Sequence, residues 1–93
     1  MITVIVRYVV KKEKTDDFIV NVKKLVEATG KEKGCVFYEC CRNDDDPLKF
    51  MMMERWESKE ALDAHSASPH FKEYVPKIEL ALDEKAMDKY SAL

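Results

Sequence analysis

Hydrophobic and polar positions follow two different rhythms along this chain. Ile2, Val4, Val6 and Tyr8 alternate with Ile5 and Val9, interrupted by Thr3 and Arg7. β-Branched and aromatic residues suit a pleated strand, so Ile2–Val10 reads as a strand, and apolar groups on both its faces call for cover on both sides. Lys11–Lys14 is a charged exit. From about Thr15 the period lengthens: Phe18, Val22, Leu25, Val26 and Thr29 fall at i, i+4, i+7, i+8 and i+11, one stripe of a helix. Asp16 and Asp17 stand where a helix N-terminus favours negative charge. The stripe ends near Gly30, and Gly34 closes the segment.

Alternation returns at Cys35–Arg42, a second strand with Phe37 and Tyr38 on opposite faces. Asn43–Pro47 is a polar turn. It lacks the glycine and the distant glutamate of a calcium loop. Leu48–Glu57 is a third strand, pairing with the second as a hairpin. Phe50, Met52, Glu54 and Trp56 share one face; Met51, Met53 and Arg55 share the other. Ser58 is a good N-cap, with Glu60 in the first turn, and Ala61, Leu62 and His65 lie on one side of a short helix. Ser68-Pro69 is a second helix start. It leads into the stripe Phe71, Tyr74, Val75, Ile78, Ala81 and Leu82, in which Pro76 should bend the helix or loosen its first turns. Weak alternation over Asp83–Tyr90 makes a fourth strand.

The order is then β-α-β-β-α-β over a single domain, residues 1–93: an α+β, ferredoxin-like pattern with a four-stranded antiparallel sheet and two helices on one face. The other face keeps apolar residues from at least three strands. An open patch of that size is unusual on a monomer, so the pattern predicts a homodimer, sheet against sheet.

Composition narrows the function classes. Sixteen basic and eighteen acidic residues give a net charge of -2, which offers no electrostatic reason for a nucleic-acid partner. No apolar run reaches the length of a membrane span. The N-terminal stretch lacks the positive region and small-residue cleavage site of a signal peptide, so the expected location is cytoplasmic and no membrane partner is expected. The three cysteines, Cys35, Cys40 and Cys41, are odd in number and show no C-x-x-C or paired metal spacing. They read as small buried hydrophobes, and Cys40 and Cys41 should point to opposite faces.

Gly34-Cys35-Val36-Phe37-Tyr38, the run Glu54-Arg55-Trp56-Glu57-Ser58-Lys59-Glu60-Ala61-Leu62-Asp63-Ala64-His65, and Ser68-Pro69-His70-Phe71 together resemble the antibiotic biosynthesis monooxygenase (ABM) domain family. The resemblance spans nearly the whole chain. It is fairly specific for the domain and poorly specific for the reaction. It implies a dimeric α+β barrel. Among its functional branches are cofactor-independent monooxygenases that oxidise quinols and polycyclic phenols with molecular oxygen. Another branch resembles the isomerase of the phosphorylated autoinducer-2 signal, and a distant one cleaves haem. Haem is disfavoured, because no histidine follows His70 and the second long helix carries Tyr74, Val75 and Pro76 where a haem ligand is expected. The resulting expectation is an enzyme without cofactor or metal, acting on a small aromatic quinol or phenol. The alternatives are the isomerase on a sugar-like phosphate, and a domain that only binds a small ligand.

His65 is the leading catalytic candidate, since its ordinary pKa suits proton transfer near neutrality; a histidine packed at the helix junction stands level with that role. Tyr38, Trp56 and His70 are the candidate substrate-binding residues, each with a structural alternative: packing for Tyr38, core for Trp56, a place near the helix start for His70. His70 lies five residues beyond His65, the wrong spacing for one helical face, so no H-x-x-x-H metal pair is formed. Glu54, on an otherwise apolar face, must find a partner or carry a raised pKa. For a phosphorylated substrate, Arg7 and Arg55 are the basic candidates.

Overall fold

The computed structural model describes residues 1–93. The elements are β1 (Ile2–Val10), α1 (Thr15–Thr29), β2 (Cys35–Arg42), β3 (Lys49–Trp56), α2 (Lys59–Ser66), α3 (Pro69–Glu79) and β4 (Leu82–Ser91), with a short 3₁₀ turn at Lys12–Lys14. The strands form one antiparallel sheet in the order β2-β3-β1-β4. Each sequence-predicted strand is present, with ends shifted by a residue or so. The ferredoxin-like sheet is therefore as expected.

Two parts of the expected fold class are corrected. Three helices, not two, lie on one face. Ser68 divides the second helical segment: its Oγ accepts the Phe71 N–H at 3.2 Å and starts α3 afresh with Pro69 at its first position. The expected dimeric α+β barrel is not what the chain forms either. The sheet is open: β2 and β4 are its two edges, and no strand closes it into a barrel. Pro76 lies inside α3, which nevertheless runs on to Glu79.

The core lies between sheet and helices. Val4, Val6, Tyr8 and Val10 of β1 and Phe50, Met52 and Trp56 of β3 are buried against Phe18, Val22 and Leu25 of α1, Leu62 of α2 and Ile78 of α3. Phe18 sits between Tyr8 and Phe50, with ring centroids 5.3 and 4.7 Å away. Alternate residues of the same strands, Ile5, Val9, Met51 and Met53, are only half-buried on the opposite face. Cys40 pairs with Met52 on the covered face and Cys41 with Met51 on the open one, as alternation requires. All three cysteines are free thiols. No helix is long and apolar enough to cross a membrane.

One glycine is required by its surroundings. Gly34 has φ +85°, and a Cβ there would lie 2.5 Å from the Ala61 Cβ of α2. Its carbonyl accepts the Glu57 N–H at 2.9 Å. The turn after α1 is thereby pinned both to the end of β3 and to the helix that carries His65.

Candidate active site

His65 occupies the last turn of α2 and is 2 % exposed. The helix begins at Ser58, whose Oγ accepts the Ala61 N–H at 3.2 Å. At its other end Ser68 donates from Oγ to the His65 carbonyl at 2.7 Å. Ser68 thus ties the end of α2 to the start of α3, and this brings together two histidines that sequence spacing alone places on different faces.

Both histidines converge on Glu32, in the turn between α1 and β2. Glu32 Oε2 lies 2.6 Å from His65 Nδ1 and 2.7 Å from His70 Nε2. A carboxylate only accepts hydrogen bonds, so each of those ring nitrogens carries hydrogen. His65 Nε2 is left with its lone pair free and takes no protein partner. This is the tautomer a general base requires. Burial pushes the His65 pKa below the ordinary histidine value; Glu32 opposes that shift, and His70 adds to it. The ring is held by aromatic neighbours: Trp56 at 4.7 Å, Phe71 at 5.1 Å and Tyr38 at 5.3 Å between centroids.

His65 lines a cavity of about 180 Å³ between the sheet and helices α2 and α3. Tyr38 and Glu54 line it from the sheet, Phe71 and Val75 from α3, and Lys85 and Lys89 from β4. Tyr38 is held neutral, its pKa raised by burial and then by Glu54. Glu54 is 6 % exposed and accepts the Trp56 Nε1–H at 3.0 Å through Oε1. Burial raises its pKa to about 7, against the pull of the Trp56 hydrogen bond and of Lys85 and Lys89. A larger, shallower hollow of about 710 Å³ shares Tyr8 and Lys85 with this cavity but contains no histidine. Of the two, only the smaller has a histidine in its wall.

Of the four site residues expected from sequence, His65 and Tyr38 line the cavity. Trp56 is fully buried behind His65 and touches Glu54, and His70 turns to Glu32. Neither is among the cavity-lining residues. Arg7, paired with Met51, and Arg55, paired with Thr3, both stand on the open face of the sheet, and neither lines the cavity. Glu32, Lys85 and Lys89 were missed by sequence reasoning. Glu32 sits in the run Lys31-Glu32-Lys33-Gly34, which has the look of a solvated turn. The two lysines share a face of β4 by alternation, but only the register with β1 makes it the covered face.

Glu32, His65 and His70 place three donor atoms within 4.8 Å of one another, a set that suits a borderline cation. Their contacts at 2.6 and 2.7 Å are direct charge-assisted hydrogen bonds. An ion with bonds near ~2.0–2.2 Å would have to enter between them and spread them.

Residues 1–77 match the model of the family described as antibiotic biosynthesis monooxygenase. A conserved protein from Methanosarcina mazei Go1 is 37% identical, with a TM-score of 0.92 over 96% of this chain and 89% of that one. The crystal structure of an antibiotic biosynthesis monooxygenase is 31% identical, with a TM-score of 0.94 over 100% of this chain and 99% of that one. An uncharacterised Synechocystis protein, sll1783, is 32% identical over 68 residues, which are 73% of this chain and 46% of that protein. The chain thus spans about half the length of that relative. With the family model matched over most of its length, the chain belongs to the antibiotic biosynthesis monooxygenase family.

Proposed function

We propose that this protein is a cofactor-independent monooxygenase that oxidises a small aromatic quinol or phenol with molecular oxygen. The observation that carries the reading is His65 itself. It is a neutral imidazole in a largely apolar cavity, with Nδ1 held by Glu32 and Nε2 free to take a phenolic proton. Deprotonation makes the ring electron-rich enough to reduce oxygen, so the base does what a cofactor does elsewhere. Family membership supports the same class of reaction. Tyr38 orients the substrate through its neutral hydroxyl. Trp56 and His70 serve the substrate site through the groups they hold, His65 and Glu54 for the first and Glu32 for the second. At about 180 Å³ the cavity is smaller than the ~300–1,000 Å³ typical of drug-sized ligand sites. This favours one-ring substrates over polycyclic ones.

Oxygen uptake with a panel of one-ring quinols and phenols in metal-free buffer tests the reading. His65→Ala should lower kcat by roughly 10²–10⁴-fold, the usual worth of a positioned base. The rate should fall on the acid side with an apparent pKa below the ordinary histidine value, because burial lowers it. Glu32→Gln should move that acid limb lower still, since Glu32 holds the His65 pKa up. Uptake that survives His65→Ala removes His65 as base.

A second reading, isomerisation of a small phosphorylated sugar-like compound, is favoured by one observation. Lys85 and Lys89 line the cavity from β4, where they suit an anionic group. Turnover of such a compound under nitrogen, with no uptake on the phenol panel, selects it. A tightly held ligand with no turnover, indifferent to His65→Ala, selects a binding domain.

A further inference from the structure

The covered face of the sheet holds one carboxyl group that the reaction above does not use. Glu54 projects from the middle of β3 into the cavity wall. It is 6 % exposed, and no cation lies within ion-pair distance of it. Its Oε1 is fixed by the Trp56 indole N–H at 3.0 Å. Its Oε2 has no protein partner and is not sealed from solvent, and the residue lines the cavity. Trp56 also packs on His65, so a single indole sets the positions of both groups. A buried carboxyl without an ion pair is costly as an anion. Its neighbours on the same face of β3, Phe50, Met52 and Trp56, are aromatic or sulfur-bearing.

The geometry points to Glu54 as a second catalytic residue, a carboxyl that gives a proton to the oxygenated intermediate from the sheet side while His65 works from the helix side. This rests on the monooxygenase reading. His65 takes the phenolic proton. Oxygen adds to the activated ring carbon: a C–O bond forms, two electrons pass from the ring to oxygen, and a peroxide anion results. Glu54 gives it the proton, making a hydroperoxide on a carbon that still bears hydrogen. The Glu54 carboxylate then removes that hydrogen as a proton, the C=O forms and the O–O bond breaks. The departing hydroxide takes the proton held by His65. Phenol and oxygen give quinone and one water, and both residues return to their starting protonation. Burial, which brings the Glu54 pKa to about 7, leaves the carboxyl able to run in both directions near neutrality.

The test is Glu54→Gln, which keeps the shape and the acceptor for Trp56 but has no proton to give. Its pH profile must be read against the other ionisable groups facing the cavity: Tyr8 from β1, Tyr38 from β2, Asp63 and His65 from α2, Lys85 and Lys89 from β4, with Glu32 behind His65. The helix α3 contributes only Phe71, Val75 and Ile78. In steady-state oxygen uptake, kcat should fall at least ~100-fold with little change in KM, and the alkaline limb assigned to Glu54 should vanish while the acid limb of His65 stays. Glu54→Asp should recover part of kcat. An infrared carboxyl C=O band that fades as pH rises through about 7 in the wild type should be absent in Glu54→Gln. An unchanged kcat in Glu54→Gln, or a change confined to KM, overturns the assignment. Should the wild type consume no oxygen on any phenol, the monooxygenase reading fails by itself. The infrared titration then decides whether Glu54 holds a proton near neutrality: a band present keeps it as a proton donor, and a band absent overturns it.

Discussion

The two faces of the sheet are made by alternate residues of the same strands, yet they differ in chemistry. Val4, Val6, Tyr8, Phe50, Met52, Glu54 and Trp56 face the helices, and none is more than 7 % exposed. Ile5, Arg7, Val9, Met51, Met53 and Arg55 point the other way and keep contact with water. On the open face a charge behaves ordinarily: Arg7 pairs with Asp88 at 3.0 Å, with both side chains more than half exposed. On the covered face a polar group must be satisfied or shifted. Glu54 is pushed toward neutrality, and His65 is held neutral with one nitrogen committed to Glu32. The cavity chemistry exists because three helices exclude water from one side only.

Substitutions on the two faces should separate accordingly. The largest effect is expected at Trp56, the fully buried partner of both His65 and Glu54. Trp56→Ala should cost ~3–5 kcal/mol in urea unfolding, the range for removing a large core aromatic. A cost near zero would mean that the covered face is not packed as described. Next is Gly34→Ala. The positive φ and the 2.5 Å approach to Ala61 should cost ~1–3 kcal/mol. By displacing α2 the change should also lower kcat, although position 34 touches no substrate.

A pH series sharpens the comparison further. The folded-state pKa of Glu54 is raised from 4.5 to about 7. Its contribution to stability is therefore fully present below pH 4.5 and is lost as pH rises through about 7. His65 runs the other way: its folded pKa is lowered from 6.5, so its contribution is present above pH 6.5 and is lost as pH falls through the lowered value. Relative to wild type, Glu54→Gln should become more stable between pH 4.5 and 7, and urea midpoints at the two ends measure it. A constant difference across that window would show Glu54 ionised throughout. The smallest effect belongs to the open face. Arg7→Ala, which removes an exposed pair, should change stability by less than ~1 kcal/mol, and added salt should shrink the difference.

Local pattern accounts for much of this molecule. The strands, the α1 stripe, the caps at Ser58 and Ser68 and the alternation of Cys40 and Cys41 all follow from period and capping, because neighbours along the chain decide them. The same alternation put Glu54 on the face of Trp56 and flagged it as a carboxylate in need of a partner. The motif carried by Gly34–Tyr38, Glu54–His65 and Ser68–Phe71 led to the family, and to His65 and Tyr38 at the cavity.

Other features depended on which distant segments meet. Spacing separates His65 from His70, but the turn at Ser68 folds them back onto one carboxylate. Glu32 lies 33 residues before His65, and nothing local distinguishes it from its charged neighbours. Lys85 and Lys89 reach the cavity through the pairing of β4 with β1. The sheet stayed open, with three helices rather than two, because Ser68 splits the second helical segment and no strand bridges the edges. Sequence determined the elements and the face each residue takes, since those are set within one or two turns of chain. Tertiary structure decided the partners of the ionisable groups and thus the site, since a pKa and a tautomer are properties of surroundings drawn from the whole chain.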